Sequence, residues 1–201
     1  MTPSIIMTPS IILLLISLSS PFQSTSASAA APQPAYQVTE AYEVYSAILP
    51  TSWSWREANS KKLVIRSDTK TYDMCLRPEK EYEEIIGPAI SDYVRQNQKT
   101  WILQKNLSIE RPYEIIRGDE IQSMFEQGFE GWKTFYEKYP DSGGWIELSA
   151  VGFNGDKTVA VVYMGHNCGG LCGGGGFHVL QKRDGKWVPL EWKGRSCGWA
   201  A

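Results

Sequence analysis

A change of period at Trp145 constrains the fold of this 201-residue chain more than any other feature. Before it, apolar residues recur at helical spacing. After it, four extended segments follow in succession: WIELSAVGF (145–153), KTVAVVYMG (157–165), FHVLQKR (177–183) and KWVPLEW (186–192). Asn154-Gly155 and Asp184-Gly185 stand in two of the connections, and such dipeptides suit tight hairpin turns. The C-terminal half therefore predicts a four-stranded antiparallel meander. Its second strand is apolar on both faces, with Val159, Val161 and Tyr163 opposed to Ala160, Val162 and Met164, so it is expected to be central and covered.

The covering elements come from the N-terminal part. Residues 36–49 place Ala41, Tyr42, Tyr45, Ile48 and Leu49 on one helical stripe that Pro50 ends. Residues 78–98 also read as helix, with a break expected at Gly87 and Pro88, where proline suits a new helix start. Residues 119–139 carry Ile121, Met124, Phe125, Trp132, Phe135, Tyr136 and Tyr139 on a third stripe, with Asp119 as cap and Pro140 as stop. An aromatic stripe of this kind serves a core, and this helix is expected to lie over the central strand. Short strands at 61–67 and 112–118 interleave with the helices. The expected fold class is α+β, with N-terminal helices packed on a C-terminal four-stranded antiparallel meander curled like a cystatin-like or NTF2-like cone.

A chain of this length, 42% hydrophobic and 21% charged, suits one domain. Its 20 basic and 22 acidic residues give a net charge of -2, which supplies no electrostatic footprint for nucleic acid or for an anionic membrane surface. The first 35 residues hold no charged side chain. Ile11 to Ile16 with Leu18 form an apolar run shorter than the roughly 20 residues a membrane span needs, and Ala27, Ser28 and Ala29 offer an A-x-A cleavage site before Ala30. Residues 1–29 are thus expected to be a signal peptide, 30–35 a flexible segment and 36–201 a single α+β domain. The competing reading is an uncleaved N-terminal anchor, since no Lys or Arg precedes the run. MTPSII at 1–6 recurs at 7–12, so Met7 is an alternative start. The expected location is secreted or periplasmic, with no stable membrane span after cleavage.

Export gives the cysteines their meaning. Cys75, Cys168, Cys172 and Cys197 form an even set, whose expected state in an oxidising compartment is two disulfides. Cys168 with Cys172 and Cys75 with Cys197 is the preferred pairing, because the first two share one tight loop. That glycine-rich stretch joins the second and third strands and is expected to be longer than the two-residue turns on either side. It is the candidate binding loop, with His166, Asn167, Gly169, Gly170, Leu171, Gly173 and His178 as its residues. Zinc accepts the types of His166, Cys168, Cys172 and His178, but C-x3-C followed by a strand histidine fits no usual zinc spacing. A thiol with a second cysteine four residues away closes to a disulfide in an oxidising compartment and loses its nucleophile. The glycines run into a strand, and neither phosphate-binding glycine motif is present. No H-E-x-x-H or EF-hand pattern occurs, and no catalytic residue, metal or cofactor is assigned. Asn106-Leu107-Ser108 is a glycosylation sequon only in a host that secretes through an endoplasmic reticulum.

YEVYSAIL, FYEKYPDSGGWIELSAVGFN and AVVYMGHNCGGLCGGGGFHVLQKRDGKW, in that order, carry a resemblance that spans most of the chain after the leader. The sequence resembles an uncharacterised family of bacterial proteins, many of them exported. The resemblance implies a single domain and a bacterial source and brings no activity with it. The family pattern does not insist on cysteines at the positions of Cys168 and Cys172, which counts against a catalytic role for either. The functional expectation is a non-catalytic exported binding module for a protein, a glycan or a small ligand, displaying the disulfide-closed loop. Trp53, Trp55 and Trp199 lie outside the strongest core patterns and are further candidate anchors. The alternative is a hydrolase or a thiol- or metal-dependent enzyme built on His166, Cys168, Cys172 and His178.

Overall fold

Residues 32–50, 59–126 and 128–201 are described by the computed structural model; the expected signal peptide, Trp53 and Trp55 lie outside them. The helices are α1 (Thr39–Ile48), α2 (Lys80–Gln96), α3 (Gly118–Met124) and α4 (Gly131–Lys138), with a 3-10 turn at Gly128–Glu130. The first three strands are β1 (Lys62–Arg66), β2 (Arg77–Pro78) and β3 (Tyr113–Ile116). Then come β4 (Ser142–Leu148), β5 (Gly152–Phe153), β6 (Val159–Gly169), β7 (Cys172–Arg183), β8 (Lys186–Pro189), β9 (Gly194–Arg195) and β10 (Gly198–Ala200).

The expected four-stranded antiparallel meander, and the cone drawn from it, do not describe this molecule. Its main sheet has eight strands and is mixed, with the path β10-β7-β6-β4-β1-β3, β5 beside β6 and β8 beside β7; β2 and β9 pair separately. β1 is parallel to β3 and to β4, while β6 and β7 are antiparallel to their neighbours. The two short strands before Trp145 thus extend the meander at the edge of β4. Leu63 N–H donates to the Pro112 carbonyl at 2.9 Å and Ser67 N–H to that of Ile116 at 2.7 Å. Parallel pairing joins distant segments through long crossovers and leaves no local turn signal to read.

β6 is central and apolar on both faces, as expected, but its covers differ from the expected aromatic helix. Ala160, Val162 and Met164 pack with Ala41, Val44, Tyr45 and Ile48 of α1. On the other face, Val159, Val161 and Tyr163 pack with Ile86, Ala89 and Tyr93 of α2. The aromatic stripe lies farther along the sheet, where Phe135 of α4, Tyr139 just after it and Ile121 of α3 cover Val64 and Trp145. It is also two helices: Gly128, at φ 77°, turns the chain between them. Asp119 falls in the first turn of α3 rather than at its N-cap, which is Arg117, and its Oδ1 accepts from the Glu120 N–H at 2.9 Å. α2, by contrast, continues through Pro88, which is exposed, while Ile86, Ala89 and Tyr93 hold its inner face. Burial of that face offsets the roughly 3 kcal/mol that an interior proline costs a helix.

The first predicted strand of the meander is divided. Leu148 pairs with Met164 and Gly152 with Val161, so three residues on one strand face two on the other, a bulge. Asn97 stitches it, accepting from Ala150 N–H at 2.9 Å and donating to the Ala150 carbonyl at 3.0 Å. Asp184 (φ 49°) and Gly185 (φ 76°) form the expected two-residue turn. At Asn154-Gly155 the connection is longer, with Asn154 Oδ1 accepting from the amides of Thr158 and Val159. Gln33–Ala201 form one compact unit.

Candidate functional site

The glycine-rich stretch is strand rather than loop. Gly169 pairs with Cys172, which leaves Gly170 and Leu171 alone as the connection, so the expected long loop is a two-residue turn at the tip of a long hairpin. Glycine runs usually mark loops. Here residues 173–176 pair with β6 on one side, and Gly174, Gly175 and Gly176 pair with β10 on the other. The missing side chains make room for neighbouring rings: a Cβ on Gly175 would lie 2.2 Å from Tyr163 Oη and 2.7 Å from Trp199 Nε1.

Both preferred disulfides form. Cys168–Cys172, with Cα atoms 5.1 Å apart, closes the tip, and Cys75–Cys197 joins residues 122 apart in sequence. Cys168 is buried and Cys172 half-buried. Tyr136 Oη donates to the Cys168 carbonyl at 2.9 Å and ties the tip to α4. On this anchored turn Leu171 is 92% exposed, and Phe129 beside it is 76% exposed. The two belong to one surface, because a Cβ on Gly170 would come within 2.7 Å of the Phe129 ring. Asn167 pairs with Trp145 and Gly173, one step inside the tip.

His166 and His178 sit deeper, on the sheet face shared with Val162. His166 Nε2 lies 2.9 Å from the Gly143 carbonyl. Register sets His166 opposite Gly174 and His178 opposite Val162, four residues apart along the strands and so about 13 Å from each other. The set His166, Cys168, Cys172 and His178 is therefore not assembled around one point: two members are bonded to each other and the other two are separated. Burial lowers the pKa of both histidines, partly opposed in His166 by the bond to Gly143.

On the opposite face lies a polar network that sequence reading missed. Glu147, 8% exposed, accepts from Tyr72 Oη at 2.8 Å and from Trp145 Nε1 at 3.3 Å, with Arg66 Nη1 at 3.8 Å. Arg66 also donates to Asp68 through Nε at 2.9 Å and Nη2 at 2.7 Å. Tyr72 stacks on Tyr163 with ring centroids 3.6 Å apart, and Trp199 Nε1 donates to Tyr163 Oη at 2.6 Å. Burial, then the Glu147 charge, pushes the Tyr72 hydroxyl well above its ordinary range. Tyr72, Trp145 and Trp199 each donate to an acceptor within the protein, and with the Arg66–Glu147 ion pair the network pins β1, β4 and β6 together. One charged residue among apolar neighbours in WIELSA was its sole trace in the sequence.

The clefts among the described residues lie elsewhere, two of them beside α1. One of about 410 Å³ is lined by Leu49, Leu63, Ser108 and Ile109, and one of about 630 Å³ by Tyr42, Asn106 and Trp187. Neither includes His166, His178 or the hairpin tip. Comparison of the chain with protein-family models, curated proteins and solved structures finds no match.

Proposed function

We propose that the chain is an exported, non-catalytic binding module that presents the hairpin tip to a partner protein. The observation that carries this reading is the exposure of Leu171, on a turn held by a disulfide and by Tyr136, with Phe129 exposed beside that turn. Single exposed apolar residues are ordinary, but two large ones close together, Leu171 on a rigid turn and Phe129 beside the neighbouring Gly170, form a patch of the kind that marks an interaction site. Pre-organisation strengthens it, since a turn already fixed loses little conformational freedom on binding. Two disulfides support an oxidising compartment, secreted or periplasmic. Among the described residues no helix is long and apolar enough to cross a membrane. The test is site-specific photo-cross-linking in exporting cells. A cross-linkable residue at position 171 should give a discrete protein adduct, and one at position 94, where Val94 is also exposed, should not. Equal labelling from both positions would contradict the proposal.

A further inference from the structure

We infer that residues 173–176 of β7 form a receiving edge for an extended polypeptide segment bearing a tryptophan between small residues, with β10 as its resident occupant in cis. This goes beyond the hairpin-tip interface and does not depend on it. The seated strand shows what the edge accepts. Gly198, Trp199 and Ala200 pair antiparallel with Gly176, Gly175 and Gly174, and Ala201 N–H donates to the Gly173 carbonyl at 3.1 Å. Main-chain pairing of this kind supplies affinity, and slots for particular side chains supply selectivity.

The slot for the indole is cut by absent side chains. A Cβ on Gly173 would stand 3.1 Å from the Trp199 ring, and one on Gly175 would meet Tyr163 Oη and Trp199 Nε1. Tyr163, fixed by its stack on Tyr72, accepts the indole N–H at 2.6 Å, so an aromatic ring with a donor fits better than one without. A Cβ on Gly198 would lie 2.6 Å from the Gly175 carbonyl, so the residue before the tryptophan must be small. The accepted pattern is therefore Gly-Trp-small.

The resident strand is lightly held. Residues 198–201 are all exposed, Trp199 by 39%. Gly198, Ala200 and Ala201 have no side chain able to grip the sheet, which leaves the indole as anchor. The covalent tether is Cys197, and the paired residues lie beyond it, so the strand can leave the edge with both disulfides closed. Tethering keeps its effective concentration near about the millimolar range, which shuts out a free competitor until the anchor is removed.

The experiment uses full-length oxidised protein carrying Trp199→Ala and a fluorescent peptide, GRSSGWAA, corresponding to residues 194–201 with serine for Cys197. Anisotropy should show saturable binding to the variant and none to the wild type. A peptide with alanine for tryptophan should bind at least about tenfold more weakly, as loss of a central aromatic anchor does. A folded variant that ignores the peptide, or binds both peptides alike, overturns the inference. Should the variant not fold, hydrogen exchange on the wild type decides. The amides of residues 198–201 should exchange at least about tenfold faster than those of β6, and equally slow exchange in both overturns it.

Discussion

His166 and His178 are the residues whose chemistry changes nearest neutral pH. Burial holds both below their ordinary value of 6.5 in the folded protein. The unfolded chain therefore binds protons first as pH falls, so the contribution of these residues to stability is complete above about 6.5 and declines as pH drops toward their folded values. Urea unfolding from pH 7.5 to 5 should show a plateau followed by a fall, and His166→Gln or His178→Gln should each flatten that fall. Glu40, Asp119 and Glu120 are held below their ordinary carboxylate values by ion pairs and hydrogen bonds, so their effect enters only at more acid pH. Phe129 shows how one residue's role escapes a pattern. An unbroken helix would carry it on the stripe between Phe125 and Trp132, but the turn at Gly128 places it outside.

Among the elements, the two disulfides are alike in chemistry and unequal in effect. Cys168–Cys172 closes a ring far smaller than the 15-residue loop worth about 3 kcal/mol in the chain-entropy model, whereas a loop of about 100 residues is worth about 4.7 kcal/mol. Cys75–Cys197, with a separation of 122, belongs to the second kind. Replacing Cys168 and Cys172 together by serine should lower the melting temperature by a few degrees, and the same change at Cys75 and Cys197 by about 10–20 °C. Scanning calorimetry of the two double variants checks this, and the reverse order would refute it. Both pairings were legible in the sequence, as were α1, β1, β3, the apolar centre of β6 and the Asp184-Gly185 turn. Each is a local signal (a stripe, an alternation, a dipeptide, a short cysteine spacing) except Cys75–Cys197, the pair left over once Cys168 and Cys172 are joined. The parallel placement of β1 between β3 and β4 was not, because that register depends on contacts between segments about 50 to 80 residues apart, for which period and turn chemistry are silent. The glycine run misled for a related reason. Its purpose lies in Trp199 and Tyr163, which meet it only in the folded sheet.

At the scale of the whole molecule, the leader expected over residues 1–29 makes a direct prediction. Protein recovered from the periplasm or medium should have an intact mass that begins near Ala30, and a full-length mass in the membrane fraction would contradict it. The sheet bears on the same journey. The stripe of α1 packs against Ala160, Val162 and Met164, and both edges of β1 are taken by strands that lie later in the chain. A polypeptide delivered from its N-terminus consequently lacks the central strand that α1 packs on and both strands that flank β1 until the later part of the chain follows, and distant contacts form last. On the proposed export route such a chain would stay threadable, entering a narrow pore as an open strand and locking once the long hairpin had emerged on the far side.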